Sequence, residues 1–317
     1  MDSQKLTQEI KDLIKRSGAP LVGIASIDRF EAMPPYYDKI PKGQHPKDFL
    51  PDAKSVISFA MPILNPAIDA PARLNEMELE MYPKEAVSGW TDSLYGKVAH
   101  FTQDVSLLLI AQMAGQYLLG QGFDAMIFPV EGVHFRGAAG KSEYDLMMGE
   151  SEEWAAKHSP FRYISGPISH RHCATRAGLG EFGYNNLVLT KEYGARQRFN
   201  TIVTDAELVP DPLITEAICL RDKCMLCMKA CHVDALYFRD DEKRQKNYRS
   251  VEKVDKDIIF IDTPTTTDNI LCRDRKQGSD EYPVRGDCVR VCPIPRVPKH
   301  LTKRLRGIVD NWIQVKE

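Results

Sequence analysis

An apolar run long enough to cross a bilayer is missing from this 317-residue chain. The best candidate, VSLLLIAQMAGQYLLG from Val105, falls short of the ~20 residues such a helix needs and carries Gln112 and Gln116. Excess charge is missing too: 42 Lys and Arg stand against 44 Asp and Glu, a formal net charge of −2. No general field draws phosphates to the molecule, so nucleic acid could bind only at a local patch. Cysteine is sparse, eight residues against the roughly 8–10% of a disulfide scaffold. The start, MDSQKLTQEI, shows neither a basic leader with an apolar stretch nor a twin arginine, so no export signal is read and a cytoplasmic location is expected.

What is present is apolar material for a full core, 43% of residues, at a size where one core begins to split into two. Leu6, Ile10, Leu13 and Ile14 recur at helical spacing before a Gly18 stop. LVGIASI from Leu21, KSVISFAMPI and DAMIFPV read as strands, and a long helix is expected between Ser93 and Gly120 with Val98, Phe101, Val105, Leu108 and Leu109 marking its apolar positions. The stretches ARLNEMELEMYPKEAVSGW and KSEYDLMMGESEEWAAKHS read as solvated surface, the second as a helical insertion. Leu301, Leu305, Ile308, Val309, Trp312 and Ile313 fall on one face of a closing helix. Helices and strands mix in the N-terminal part, so the fold class is α+β.

RAGLGEFGYNN contains a literal GxGxxG at Gly178, Gly180 and Gly183. A dinucleotide fingerprint needs a strand before the glycines and a helix after them. Here the order is reversed, with helical SHRHCATRA before and strand-like NNLVLT after. Two readings remain: a helix stop with tight packing, or a backbone cradle for a large cofactor.

The cysteines are clustered. Residues 219–231 read CLRDKCMLCMKAC, and a second group closes with CVRVC followed by Pro293. Two-cluster bacterial ferredoxins use CxxCxxCxxxCP twice, the fourth cysteine of each run ligating the other cluster. Under that crossover one cluster takes Cys219, Cys224, Cys227 and Cys292, and the other takes Cys231, Cys288 and Cys272. His232 stands where proline normally follows, and Arg285 where the CxxC partner of Cys288 belongs. The second centre is therefore [4Fe–4S] or [3Fe–4S], with a non-cysteine fourth ligand or Cys173 reaching across left open. Alone, Cys173 reads as an inert buried thiol. The spacing suits neither paired zinc ligands nor a haem CxxCH, since Met228 follows Cys227.

Together DFLPDAKSVISFAMPI, AGLGEFGYNNLVLTKEYGARQRFNTIVTDAELVPDPLI and the two cysteine groups resemble, in order, the corrinoid-dependent family of reductive dehalogenases and epoxyqueuosine reductase, closer to the dehalogenase branch. The resemblance runs from about Phe49 to Pro293. It implies a nitroreductase-like domain holding base-off cobalamin (1–210), a ferredoxin-like two-cluster module (211–300) and a closing helix (301–317). Gly178, Leu179, Gly180, Glu181, Gly183, Tyr184, Asn185 and Asn186 would then lie against the corrin, their backbone N–H groups serving its amide side chains. The implied activity is a reductase cleaving a carbon–halogen or carbon–heteroatom bond of a small organic substrate, fed by a ferredoxin, flavodoxin or reductase.

In epoxyqueuosine reductase the general acid is an aspartate just upstream of the glycines, whereas YISGPISHR carries no acid there. The dehalogenase pattern implies Tyr163 as proton donor, helped by Arg162 or Arg171, with His170 as second candidate. GVHFRG resembles DxHxxG of other cobalamin proteins, but Gly132 replaces the aspartate and His134 reads as a loop histidine. The chain ends soon after CVRVCPIPR without a helical-repeat extension, and KHLTKRLR reads as a solvated helix face, so a tRNA substrate is not expected. Two alternatives stand: an iron–sulfur electron-transfer protein with flavin or a protein partner instead of corrinoid, and an epoxyqueuosine-reductase-like tRNA enzyme.

Overall fold

The computed structural model describes residues 2–31, 45–69, 77, 80–81, 98, 102–130, 168–243, 253–268, 271–272 and 286–315. Its elements, in chain order, are α1 (Ser3–Arg16), β1 (Leu21–Ser26), β2 (Ser55–Pro62), α2 (Gln103–Gly120), β3 (Ala125–Ile127), α3 (His170–Arg176), β4 (Glu181–Phe182), β5 (Val188–Leu189) and β6 (Gln197–Thr204). There follow α4 (Leu226–Ala230), β7 (Leu236–Phe238), β8 (Thr265–Thr267), α5 (Asp287–Arg290) and α6 (Lys303–Gln314). Helix and sheet are mixed, as expected. Among the described residues no helix is long and apolar enough to cross a membrane. The surface stretches expected at 72–90 and 141–159 lie largely or wholly outside the described residues, as do Tyr163, Arg162 and His134.

The central sheet has the order β1-β2-β6-β3, every neighbour antiparallel. Its strands are apolar on both faces because both are covered. Ile24, Ile57, Phe59 and Ile202 meet α1 and α2 on one side. On the other, Ala25, Val56 and Val203 meet Cys173 and Ala177, while Ala60 and Phe199 meet Ala174 and Phe182. Helix α1 starts where the Asp2 side chain accepts the Gln4 amide at 3.0 Å and ends with Lys15 and Arg16 in its last turn, both arrangements favourable to the helix dipole.

Helix α2 departs from the expected register. It begins at Gln103, and its core residues are Leu107, Ile110, Ala111, Ala114 and Leu118, whereas Val105 and Leu109 are 44% and 60% exposed. The helix is apolar nearly all round, so periodicity leaves its rotation open. Small side chains decide it: Ala111 and Ala114 let the helix sit close to the sheet.

Helix α3 ends in a double turn. The amide of Gly178 donates to Thr175 at 3.1 Å and that of Leu179 to Ala174 at 3.0 Å, with Gly178 at φ +75°. This is a Schellman cap, whose left-handed residue is normally glycine. The hairpin β4–β5 follows at once, pairing Glu181 with Leu189 and Phe182 with Val188. The observed order is therefore helix, glycine turn, hairpin, which excludes the dinucleotide reading on geometry. A Cβ on Gly180 would lie 2.0 Å from the Leu189 carbonyl oxygen. Gly180→Ala must push the hairpin apart, and we expect a loss of about 1–3 kcal/mol in denaturant unfolding.

Candidate iron–sulfur site

Glu181 leaves the glycine turn with its side chain fully buried. One carboxylate oxygen accepts the amides of Ile218 at 2.6 Å and Cys219 at 2.7 Å; the other accepts the Phe260 amide at 3.2 Å and meets the Arg221 guanidinium at 3.3 Å. Arg221 in turn stacks over Phe260, 4.6 Å from the ring centre, and donates to the carbonyls of Lys256 and Ile258. The first cysteine of the ligand run is thus tied through one carboxylate to the turn that packs on the sheet.

Four cysteines line one largely apolar cavity: Cys219, Cys224, Cys227 and Cys292. Gly183, Tyr184, Asn185, Pro293 and Ile294 complete much of its wall. The same four had been grouped by the ferredoxin crossover. Burial raises the pKa of each of Cys219, Cys227 and Cys292, the last to about 11, and neighbouring thiols add to the rise. Cys219 sulfur receives the backbone amides of Tyr184 and Arg221, and Cys292 sulfur that of Ile294, partly offsetting the penalty. Such a set holds four thiolates only when a bound cation supplies positive charge.

The second group is brought together differently. Pairing Leu236 with Thr267 in the β7–β8 hairpin sets the turn at Asp268, whose amide donates to Ala235 and whose carbonyl receives the Cys272 amide. Cys272 therefore returns beside Cys231. On α5, burial pushes the Cys288 thiol to about 12, and Cys272 and Cys231 add to the rise. Cys288 also acts on Cys227, so the two groups adjoin. His232, where a proline was expected, faces Asp287 at 3.4 Å, and Asp287 is further held by Arg290 and Arg304.

A tetrahedral zinc site gathers its sulfurs about 2.3 Å from one point. Among the described residues no three His, Cys, Asp or Glu side chains gather to hold a single ion. Four cysteines around one cavity suit a multi-iron cluster, whose cysteines bind through separate irons. Cys173 does not line the cavity: it lies on α3, buried against the sheet, and burial lifts its thiol to about 12. That agrees with the inert reading.

Most of the backbone amides of the glycine run are engaged within the chain itself. The amides of Gly178, Leu179, Phe182 and Gly183 donate to the carbonyls of Thr175, Ala174, Phe260 and Leu187, the Asn186 amide donates to Gly183, and the Tyr184 amide serves the Cys219 sulfur. Asn186 spends its side chain on Arg171, Thr263 and Thr267. The physical reason is the hairpin: a turn that packs this closely on its own chain satisfies its donors internally. What faces inward from Gly183 to Asn185 is the cysteine cavity.

Of the proton-donor candidates, Arg171 donates to the Asn186 carbonyl and side chain and lies 5.8 Å from the Phe182 ring centre, so it braces the turn. His170 has one ring nitrogen 2.9 Å from the Thr201 hydroxyl and the other 3.0 Å from the Pro129 carbonyl oxygen. Burial lowers its pKa to about 4. Neither side chain stands free to hand over a proton. Sequence reasoning missed Arg196, which donates to the carbonyls of Arg290 at 3.0 Å and Cys292 at 3.2 Å and so clamps the second ligand segment to the sheet. Its only signal was a basic residue at the head of an apolar strand.

No family model matches the chain. The tetrachloroethene reductive dehalogenase of Desulfitobacterium hafniense is 40% identical over 73 residues, which is 22% of this chain and 13% of that protein. The enzyme of that name from Dehalobacter restrictus matches to the same extent. The matched segment thus spans only a small part of these curated relatives. Among solved structures, a catabolic reductive dehalogenase in complex with 3-bromo-4-hydroxybenzoic acid aligns over 99% of this chain and 35% of its own, with TM-score 0.53 and 16% identity. A reductive dehalogenase whose structure suggests a mechanism for B12-dependent dehalogenation gives 0.52 at 15% identity, over the same shares of the two chains. An epoxyqueuosine reductase with a tRNA stem loop aligns over 73% of this chain and 52% of its own at 0.40 and 16% identity. The chain is similar to the dehalogenases in a stretch of sequence and in fold, in agreement with the resemblance drawn from its motifs.

Two outcomes are expected. Glu181→Gln leaves amide donors facing an amide donor, and we expect about 1–3 kcal/mol less stability and less iron retained per chain on reconstitution. His170 has a folded pKa below its unfolded one, so the unfolded chain binds the extra proton; stability is intact above pH ~6.5 and falls as pH drops toward about 4. Thermal unfolding across that window should show the slope, and His170→Gln should flatten it.

Proposed function

We propose that the chain is an oxidoreductase of the reductive dehalogenase type: two iron–sulfur clusters feed a base-off corrinoid, which reductively cleaves a carbon–halogen or carbon–heteroatom bond in a small organic substrate. The observation that carries this reading is the cavity ringed by Cys219, Cys224, Cys227 and Cys292, with Cys231, Cys272 and Cys288 adjoining it. The corrinoid is supported by similarity to a structure described as B12-dependent. The glycine run adds little to that support, since most of its amides donate within the chain. When bound, a reduced corrinoid supplies a strong nucleophile or electron donor.

The chain's own residues divide the remaining work. Seven cysteines hold the clusters, [4Fe–4S] at the first group and [4Fe–4S] or [3Fe–4S] at the second. Glu181 and Arg196 fix the two ligand segments against the sheet. Amides of Tyr184, Arg221 and Ile294 donate to cluster sulfurs, which stabilises the reduced state by favouring negative charge there. With Arg171 and His170 engaged elsewhere, Tyr163 is the proton donor of choice. In this reading residues 1–210 form the substrate domain, 211–300 the cluster module and 301–317 its cover, the enzyme works in the cytoplasm, and a ferredoxin, flavodoxin or reductase supplies electrons.

The engagement of most glycine-run amides within the chain favours one rival, an iron–sulfur electron-transfer protein without corrinoid. Anaerobic purification followed by incubation with cob(II)alamin separates the two. We expect a brown protein with about seven or eight irons per chain that takes up one corrinoid with the spectrum of a base-off form. Stable clusters with no stoichiometric corrinoid would establish the rival. In the same preparation Cys224→Ala should lose about half the iron, while Cys173→Ala should retain it; equal loss would show Cys173 to be a ligand.

A further inference from the structure

The basic run that sequence reading treated as a solvated face sits on the outside of the cluster module. Between Cys292 and Gly307 the sequence carries five lysines and arginines and no carboxylate. Helix α6 buries Leu305 and Val309 on Leu226, Ala230 and Val291, with Cys224 packed at the same cluster. Arg304 donates to the Ala230 carbonyl at 3.3 Å, and the Trp312 indole to that of Lys223 at 2.9 Å, so α6 lies along the segment that bears Cys224 and Cys227. Lys223, Lys229, Arg296 and Lys299 are exposed around it and form no ion pair among the described residues. Half-exposed Trp312 and exposed Ile313 lie on the same helix.

A chain of net charge −2 thus concentrates positive charge over one layer of side chains outside its first cysteine cavity. We propose that this face is the docking surface for a small acidic one-electron carrier protein, which delivers electrons to the cluster held by Cys219, Cys224, Cys227 and Cys292. The inference rests on the cluster reading above and does not require the corrinoid. An apolar centre with an aromatic residue inside a charged rim is the anatomy of a protein contact. RNA would instead call for basic residues aligned to track a backbone. Opposite charge on the carrier steers encounter and raises the association rate. The step is one electron from the reduced carrier to the oxidised cluster, with no bond made or broken.

Stopped-flow reduction of the reconstituted holoprotein by an acidic [2Fe–2S] ferredoxin tests it, with dithionite as the small-molecule reductant. The double variant Lys223→Glu/Lys299→Glu should lower the ferredoxin rate about tenfold and leave the dithionite rate and the cluster absorbance unchanged. The native rate should fall steeply between 50 and about 300 mM salt, as expected when screening shortens the reach of charge. Salt-independent reduction, or equal rates for native and variant protein, would overturn the docking surface. Binding of an RNA stem loop that the same substitutions abolish, without any effect on ferredoxin, would reassign the face to nucleic acid. A preparation with no cluster absorbance would overturn the cluster reading itself, an outcome the spectrum distinguishes from the others.

Discussion

A carboxylate taken out of water costs several kcal/mol unless donors replace the lost solvent. Around Glu181 that replacement is supplied by three backbone amides and a guanidinium, drawn from two separate stretches of chain. The arrangement works in both directions. The donors make the buried charge tolerable, and the charge fixes where residues 218–221 and 258–260 can lie. Cys219 is within that reach, so the position of a ligand sulfur follows from the satisfaction of a carboxylate on a hairpin packed against the sheet. Arg196 does the equivalent for Cys292 from the other side, a cation holding carbonyl oxygens.

Between these two anchors stands a set of thiols that gains nothing from its own proximity. Burial and mutual repulsion both oppose their ionisation. The apolar packing around them, with Leu226, Ala230 and Val291 on one side and Phe260 and Tyr184 on the other, increases that opposition. A cluster reverses the sign, since its iron favours thiolate and the low dielectric then strengthens the bond. On the proposed reading, the same features that make the metal-free site unfavourable would make the loaded site tight and its potential sensitive to the few amides that reach sulfur.

Much of this was legible in the residue order, and the parts that were not share a cause. Strands β1 and β2 announce themselves because apolar and β-branched residues predominate where both faces are covered. The gathering of Cys219, Cys224, Cys227 and Cys292 around one cavity was legible in their spacing. The rotation of α2 was not, since a helix apolar on every side carries no phase. The role of the glycine run was half legible: the reversed order of helix and strand excludes a dinucleotide, but whether an amide points to a cofactor or to its own chain depends on a hairpin register that pattern does not encode. Glu181, expected at a cofactor, uses its carboxylate on the backbone amides of Ile218 and Cys219.

The sharing of ligands between distant segments has a bearing on assembly. Cys292 stands in the wall of the cavity that Cys219, Cys224 and Cys227 begin, and Cys231 stands beside Cys288 and Cys272. On the proposed reading, neither inorganic core is completed by one stretch of chain alone, and the first iron centre to form would draw the partner segment into register for the second, much as the first teeth of a zip align those that follow.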